Sequence, residues 1–224
     1  WLLLSGAQAV QARLRPRPRA EPRVAGILAV RDYRPAFSAF ESLRALVDVT
    51  IVLDDNSREP FPHRDGCDEY LARRADGLWN DVQNKTLLLQ RARAHGCDWV
   101  VCIDDDVVYS HGFQTRDDTA SAIDELRRRR GEVGIFALRD LWDSPNAYRA
   151  DGIWGRKTFN VLRRNWLDYR CISLSDPSHR LHGTLFPRNL RPRKVVLGGH
   201  VAYHAGCLTR EARERRVAKY RIED

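Results

Sequence analysis

The chain has 224 residues, enough for one domain with a sizeable core, and its composition excludes a collagen-like or disordered polymer. Lysine and arginine number 38 against 30 aspartates and glutamates, and the net charge of +8 suits either nucleic acid or another phosphorylated partner. Five cysteines without a CxxC pair exclude a zinc ribbon and a disulfide framework, which predicts a reducing, cytoplasmic location.

Residues 1–23 are expected to form an arm or linker ahead of the folded domain. Arginine and proline alternate through 11–23 with almost nothing to bury, and the apolar run at 1–4 is too short for a signal peptide or a membrane span. Because the first residue is Trp1 rather than methionine, we expect upstream sequence to be missing. The domain is therefore placed at 24–224, with no transmembrane segment.

The domain opens with a strand, a helix and a second strand. Apolar residues fill Val24–Val30, recur near helical spacing over 37–46, and fill Val49–Leu53. The second strand leads directly into two acids, Asp54 and Asp55. An apolar strand that ends in carboxylates is therefore the first sign of a site at one edge of a sheet.

A second helix leads to the central strand of the chain. Residues 58–80 are polar and irregular and are interpreted as a loop over the site. A helix capped by Asn80 or Asp81 then runs to Ala94, and a β-branched apolar run at 99–103 predicts a strand covered on both faces. This order of elements is typical of a parallel sheet with helical crossovers.

Three adjacent carboxylates, Asp104, Asp105 and Asp106, end the central strand. Ligands of open α/β sheets bind at the carboxyl ends of the strands, and neighbouring carboxylates repel one another unless a cation joins them. Hard oxygen ligands suit Mg²⁺ or Mn²⁺, which take substrate phosphates as further ligands. The alternative is a solvated turn that merely ends the strand.

The second half of the chain contains a less regular stretch between predicted elements. Residues 139–170 are rich in Trp, Asp, Arg and Gly without clear periodicity, which favours a binding surface over core. The arginine run at 127–130 is interpreted as a solvated helix end, because cations favour a helix C-terminus. The other predicted elements are a helix capped by Asp117 or Asp118 and ending at Arg130, a strand at Val133–Leu138, a strand at Lys194–Leu197 and a helix capped by Thr209.

Four segments together resemble family 2 glycosyltransferases of the GT-A fold. They are LDDNS at 53–57, NKTLLLQRA at 84–92, DWVVCIDDD at 98–106 and YHAGCLTREARERRVAKY at 203–220. The resemblance implies one α/β, Rossmann-like domain with a mostly parallel central sheet flanked by helices, in which 24–110 binds the nucleotide-sugar and 111–224 the acceptor. One departure is AVRDYRP after the first strand, where the family often has Asn.

The resemblance also implies an activity and the residues that serve it. The activity is metal-dependent transfer of a sugar from a UDP- or GDP-sugar to an acceptor, with inversion and with Mn²⁺ or Mg²⁺ as cofactor. His204 is the least specific of the assigned residues, since a lone His is commonly structural. The implied metal ligands are Asp104, Asp106 and His204, and the implied donor contacts are Asp54 or Asp55 with the base or ribose, Lys85 with the pyrophosphate, and Asp104 and Asp105.

An inverting transferase needs a general base that takes a proton from the acceptor. Asp151 is preferred and Asp143 is second, because each lies among aromatic residues that are expected to raise a carboxyl pKa. Either could instead bind acceptor hydroxyls or pair with an arginine, Arg149 or Arg156. Further candidates are Trp142, Trp154 and His182 as sugar or acceptor contacts, and Asp168 as the next base to test.

Three other functions stay open. A nucleotidyltransferase of related fold would usually carry a Gly-rich phosphate loop after the first strand, and AVRDYRP has no glycine. A nucleic-acid-binding module could use the arginines, although they are dispersed and no aromatic stacking motif accompanies them, so nucleic acid is not the expected partner. A sugar-binding domain without activity would keep the fold. The acceptor, whether glycan, lipid, protein or small molecule, is left open.

Overall fold

The computed structural model describes residues 21–33, 38–73, 79–165 and 192–223, and within them the strands form one sheet of eight. This architecture confirms the predicted α/β class. The strands are β1 (Val24–Val30), β2 (Val49–Asp55), β3 (Glu69–Arg73), β4 (Trp99–Cys102), β5 (Val107–Tyr109), β6 (Val133–Asp140), β7 (Thr158–Arg164) and β8 (Lys194–His204). The helices are α1 (Ala39–Leu46), α2 (Asp81–Ala94), α3 (Arg116–Arg128) and α4 (Arg210–Glu223).

The sheet is parallel in its first half and mixed in its second. Its strand order is β3-β2-β1-β4-β7-β6-β8-β5. The first four strands of that order are all parallel, whereas β7 runs antiparallel to both β4 and β6, β8 runs parallel to β6, and β5 runs antiparallel to β8. The sheet is therefore mostly parallel, as predicted, and the carboxyl ends of β1, β2 and β4 meet at one edge.

Helices cover both faces of the parallel half. Leu43 of α1 and Ile123 of α3 belong to one buried cluster, and Leu88 of α2 belongs to a second cluster on the opposite face. Successive residues of β1 alternate between the two clusters, with Leu28 in the first and Ile27 in the second. Burial on both faces is why β1 reads as a continuous apolar run, and each fully buried Leu contributes about 1.5–3 kcal/mol.

Two strands lie where the sequence predicted irregular structure. Within the predicted loop at 58–80, Glu69–Arg73 forms β3, a strand at the sheet edge in which no residue is fully buried, so that neither an apolar run nor an alternation marks it. Within 139–170, Thr158–Arg164 forms β7. Because Val161, Leu162 and Arg163 of β7 are all buried in succession, no polar alternation marks this strand either.

The last strand, β8, is longer than the predicted Lys194–Leu197 and continues to His204. Its pairing with β6 shifts register between Val196 and Val201, and Gly199, between these two residues, has a φ of +83°. The two glycines at 198–199 therefore form a bulge within the strand and do not end it. The continuation places His204 at the same sheet edge as the end of β6, because Asp140 pairs with His204 in the register.

The sequence predicted the N-terminal caps of three helices, and two of these predictions are correct. Asn80 caps α2 by accepting from the Gln83 N–H at 3.0 Å, and Thr209 accepts from the Ala212 N–H at 3.1 Å at the start of α4. The predicted cap of α3 at Asp117 or Asp118 is wrong, because Thr115 is the cap and Asp118 completes a capping box. The helix also ends at Arg128, two residues before the predicted Arg130.

Some predictions lie outside the described residues. These include most of the proposed arm at 1–23 and the candidates Asp168 and His182. Among the helices of the described ranges, none is both long and apolar enough to cross a membrane.

Candidate active site

The turn after β4 is joined to the end of β8 by backbone hydrogen bonds. The Val107 N–H donates to the Asp104 carbonyl at 3.0 Å, which closes the turn, and the Ala205 N–H donates to the Asp106 carbonyl at 2.7 Å. In the antiparallel pairing of β5 and β8, Val107 lies opposite His204. The acids and His204, far apart in sequence, therefore meet at one sheet edge.

His204 is buried between two carboxylates. Its Nε2 lies 3.0 Å from Asp106 Oδ2, and its Nδ1 lies 2.6 Å from Asp140 Oδ1. Burial disfavours the imidazolium, but the hydrogen bonds to both carboxylates outweigh that cost and raise the pKa of His204 to about 9. At neutral pH the imidazole therefore carries a proton on each nitrogen and donates to both acids.

Asp140, the second partner of His204, was not predicted from the sequence. It is the last residue of β6 and is fully buried, and its Oδ2 lies 3.1 Å from Lys157 Nζ. Burial alone would raise the pKa of Asp140, yet the contacts with His204 and Lys157 lower it below its ordinary value. The signal was present, because β6 ends in an acid as β2 does, but the predicted strand stopped at Leu138.

Arg216 and Gly206 complete this side of the site, and neither was predicted. Arg216, on α4, places Nη1 3.0 Å from His204 Nε2, and its charge opposes the rise in the His204 pKa. A Cβ on Gly206 would lie 2.4 Å from Arg216 Nη1, 2.5 Å from Asp106 Oδ2 and 2.7 Å from His204 Nε2. Only glycine leaves room for these three groups to converge on the backbone.

Asp104 and Lys85 form the other side of the site. Lys85 Nζ lies 2.7 Å from Asp81 Oδ2, one helical turn away on α2, and both Asp81 and Asp104 raise the Lys85 pKa against the opposing effect of burial. Burial raises the pKa of Asp104, the Lys85 ammonium opposes that rise, and the Asp106 carboxylate reinforces it. Asp104 is nevertheless exposed to solvent, whereas Asp105 of the same turn is half-buried.

The residues fit a divalent cation only as an open site. Within the described ranges, no group of three His, Cys, Asp or Glu side chains is arranged to hold a metal. Asp106 Oδ2 and His204 Nε2 are 3.0 Å apart, and adjacent ligands of an octahedral shell with bonds of about 2.1 Å are separated by roughly the same distance. Such an ion would replace the His204 proton and would take its other ligands from water and phosphate.

Asp54 is occupied by groups of the protein itself. It is buried at the end of β2 and accepts hydrogen bonds from the Ser57 N–H at 3.1 Å, the Phe61 N–H at 3.1 Å and the Tyr70 hydroxyl at 2.8 Å. These contacts hold the loop that follows the strand. A contact between Asp54 and a nucleotide stays a prediction.

Asp55 is fully buried and also bound within the protein. It accepts from Arg73 Nη2 at 2.8 Å, from Asn84 Nδ2 at 2.9 Å and from Arg31 Nη2 at 3.1 Å. The Arg31 guanidinium lies over the Trp79 ring, 5.6 Å from its centroid. Asp55 thus joins the ends of β1, β2 and β3 to α2, and its nucleotide contact likewise stays a prediction.

The two base candidates, Asp143 and Asp151, lie at the surface in ion pairs. Asp151 Oδ1 accepts from Arg149 Nε at 2.9 Å, and Asp143 Oδ1 accepts from Arg213 Nη2 at 2.8 Å. The expected rise in the Asp151 pKa is wrong, because the hydrogen bond from Arg149 lowers it. Pairing with Arg149 was the alternative that the sequence left open for Asp151.

The tryptophans of the same segment contact cations. The Arg149 guanidinium lies 5.0 Å from the Trp142 ring centroid and 4.6 Å from that of Trp154. Both rings were expected to stack on a sugar or contact an acceptor. A sugar that stacks on these rings would have to share them with, or displace, an arginine.

No protein-family model and no curated protein sequence matches this chain. Among solved structures, it is similar to a protein from Mycobacterium sp. strain JC1 that is a homolog of Mycobacterium tuberculosis rv0371c. The identity is 15% over 91% of this chain and 100% of the other, with a TM-score of 0.40. It is also similar to a candidate nucleotide-diphospho-sugar transferase from Desulfovibrio desulfuricans G20, at 10% identity over 90% and 98%, with a TM-score of 0.41. A third similarity is to a 4-diphosphocytidyl-2C-methyl-D-erythritol synthase, at 10% identity over 63% and 74%, with a TM-score of 0.33. Similarities this distant do not on their own define what this chain binds or catalyses.

Proposed function

We propose that this chain is a glycosyltransferase that uses a nucleotide-sugar donor. The observation that carries the proposal is the contact of Asp106 with His204 at the edge where β1, β2 and β4 end. Two segments that resemble family 2 glycosyltransferases, one with the acidic turn and one with His204, supply the two partners. The diphosphate of the donor would lie over this contact.

The charges of the site suit a diphosphate. Lys85 is a cation at neutral pH, and Arg216, whose Nη1 lies 3.0 Å from His204 Nε2, adds a second positive charge. Asp106 and His204 are the residues that would hold Mn²⁺ or Mg²⁺. When bound, such an ion offsets the charge that develops on the departing nucleoside diphosphate.

Asp140 and Lys157 would keep His204 in position. Asp140 accepts from Nδ1 of His204, which directs Nε2 toward Asp106, and Lys157 neutralises the remaining charge of Asp140. A carboxylate that orients a histidine in this way fixes both its ring position and its proton. Neither residue needs to touch the donor for this effect.

The base that takes the acceptor proton stays a prediction. Asp151 and Asp143 lie on the segment that connects β6 to β7. These two strands follow β4 in the sheet order. A lowered pKa makes Asp151 a weaker base than the sequence led us to expect, unless the acceptor displaces Arg149 from it. The inverting outcome also stays a prediction.

The proposal is tested by nucleotide binding. Thermal unfolding of the full chain in the presence of UDP, GDP or dTDP, with and without Mn²⁺, should show one nucleotide that raises the Tm. At a concentration of about 100 Kd the expected stabilisation is about 2.7 kcal/mol, which corresponds to a rise on the order of 5–10 °C. Retention on heparin that is lost in salt, with no Tm change for any nucleotide, would instead favour a nucleic-acid-binding module.

A further inference from the structure

Beside the active site, cations and indole rings alternate in one array, which we call the cationic stack. It consists of Lys157, Trp154, Arg149, Trp142 and Arg213. Lys157 Nζ lies 3.5 Å and the Arg149 guanidinium carbon 4.6 Å from the Trp154 ring centroid. The Arg149 carbon lies 5.0 Å and the Arg213 carbon 4.3 Å from the centroid of Trp142. Each ring thus contacts two cations at distances where a cation–π interaction is favourable.

The cationic stack is connected to the active site at both ends. Lys157 is paired with Asp140, which is the partner of His204. At the other end, Arg213 donates to the Cys207 carbonyl at 2.9 Å and lies on α4, the helix that also carries Arg216. A ligand on the cationic stack would therefore lie next to the sheet edge proposed to bind the donor, on the side of β6 and β7.

The two arginines of the stack hold exposed carboxylates. Asp151, bound to Arg149, has a side chain 65% exposed, and Asp143, bound to Arg213, has a side chain 64% exposed. Ion pairs this open to solvent contribute little, because water screens them and because forming them costs side-chain conformational entropy. The guanidinium groups are held independently by the indole rings, so a more highly charged anion can replace the carboxylates without rebuilding the site.

We propose that the cationic stack binds the phosphate group of the acceptor, with Arg149 and Arg213 as its ligands. Asp151 and Asp143 occupy the two guanidinium groups until the phosphate displaces them. A phosphate dianion is preferred over a carboxylate because it carries twice the charge and offers three acceptor oxygens to a planar guanidinium. That the phosphate belongs to an acceptor rests on the proposed function, whereas phosphate binding itself does not.

The test is the binding of inorganic phosphate to the full chain, measured by calorimetry at constant ionic strength, with acetate as the comparison anion. Arg149→Gln and Arg213→Gln should each weaken phosphate binding about tenfold, as expected for one lost hydrogen bond to a charged group. Arg210→Gln is the matched control, because Arg210 lies on the same helix as Arg213 and is not part of the cationic stack. Its Nε lies 2.8 Å from Glu214 Oε1. It should leave the affinity unchanged.

One further variant is expected to bind phosphate more tightly than the parent chain, a result that misfolding would not produce. Asp151→Asn removes the competing carboxylate from Arg149 and should tighten phosphate binding several-fold. Equal phosphate affinity in all four variants and the parent chain, or acetate binding as strong as phosphate, would overturn the inference. Unchanged phosphate affinity in Asp151→Asn would count against its role as a competitor, whatever the effect of this change on sugar transfer.

The outcome can be separated from that of the proposed function. If Arg149→Gln and Arg213→Gln weaken phosphate binding but no nucleotide-sugar is turned over by the parent chain, the phosphate site stands and the glycosyltransferase proposal fails. If donors are turned over and the variants bind phosphate as the parent does, the glycosyltransferase proposal stands and the stack has only a structural role.

Discussion

Gly206→Ala should reduce sugar transfer by about a hundredfold or more while the chain still folds. The added Cβ would lie within 2.7 Å of side-chain atoms of Arg216, Asp106 and His204. These atoms are the ends of side chains, so they can move apart at small cost to stability, but they cannot keep their present arrangement. A misplacement of about 1 Å in a catalytic site costs on the order of a hundredfold in rate. The measurement is steady-state release of nucleoside diphosphate, with thermal unfolding to confirm the fold.

Gly198→Ala, on the strand β8 that precedes Gly206, provides the matched control. A Cβ at Gly198 meets nothing within 4 Å, so this change tests the loss of a glycine in β8 without crowding the site. Parent-like transfer by Gly198→Ala and loss by Gly206→Ala is the expected pair of results. Full activity in a folded Gly206→Ala chain would mean that the three converging groups do not act where the structure places them.

Asp106→Asn should remove metal-dependent binding of the donor and lower transfer by at least about a hundredfold. The change keeps the shape of the side chain but removes the charge that pairs with His204 at 3.0 Å and that would attract a divalent ion. His204 keeps its contact with Asp140, so the buried histidine is not left without an acceptor. A Mn²⁺ titration of nucleotide binding, followed by calorimetry, measures the effect.

Asp124→Asn is the control for the loss of one carboxylate. Asp124 lies on α3 with a side chain 68% exposed and pairs only loosely with Arg127, at 3.4 Å. It should bind nucleotide and Mn²⁺ as the parent chain does. If Asp106→Asn gives the same Mn²⁺ titration as Asp124→Asn, Asp106 is not a metal ligand and the acidic turn is structural.

The parallel half of the sheet was predictable because its strands are buried on both faces. Continuous apolar runs in β1, β2 and β4 stand out in the sequence, and the acids that end β2 and follow β4 are equally visible. The edge strand β3 and the antiparallel strand β7 escaped prediction. In β3 and β7 the pattern of burial depends on neighbours that the local sequence does not reveal.

The candidate site was predictable only where strand ends were recognised. Asp106 follows an obvious strand, whereas Asp140 ends a strand that Arg139 interrupts, and His204 lies beyond glycines that resemble a strand end. His204 was assigned through family resemblance and not through any local pattern. The roles of Arg216 and Gly206 arise from contacts with Asp106 and His204 that exist only in the folded chain.

The environment of Asp151 differs from the one that the sequence predicts. Nearby tryptophans led to the expectation of a raised carboxyl pKa, on the assumption that their rings remove water from the carboxylate. In the structure the rings of Trp142 and Trp154 contact Arg149, and this arginine holds Asp151 and lowers its pKa. The choice between an aromatic and a cationic partner is made by tertiary packing, which residue spacing does not determine.

The most direct test of the glycosyltransferase proposal is the identity of the nucleotide that the full chain releases. The chain is incubated with UDP-, GDP- and dTDP-sugars, and separately with nucleoside triphosphates and sugar phosphates, each with and without Mn²⁺, and the products are separated by anion-exchange chromatography. We expect slow release of a nucleoside diphosphate from one donor, dependent on the metal and lost in Asp106→Asn. Formation of pyrophosphate from a nucleoside triphosphate and a sugar phosphate, with no nucleoside diphosphate from any donor, would contradict the proposal and indicate a nucleotidyltransferase.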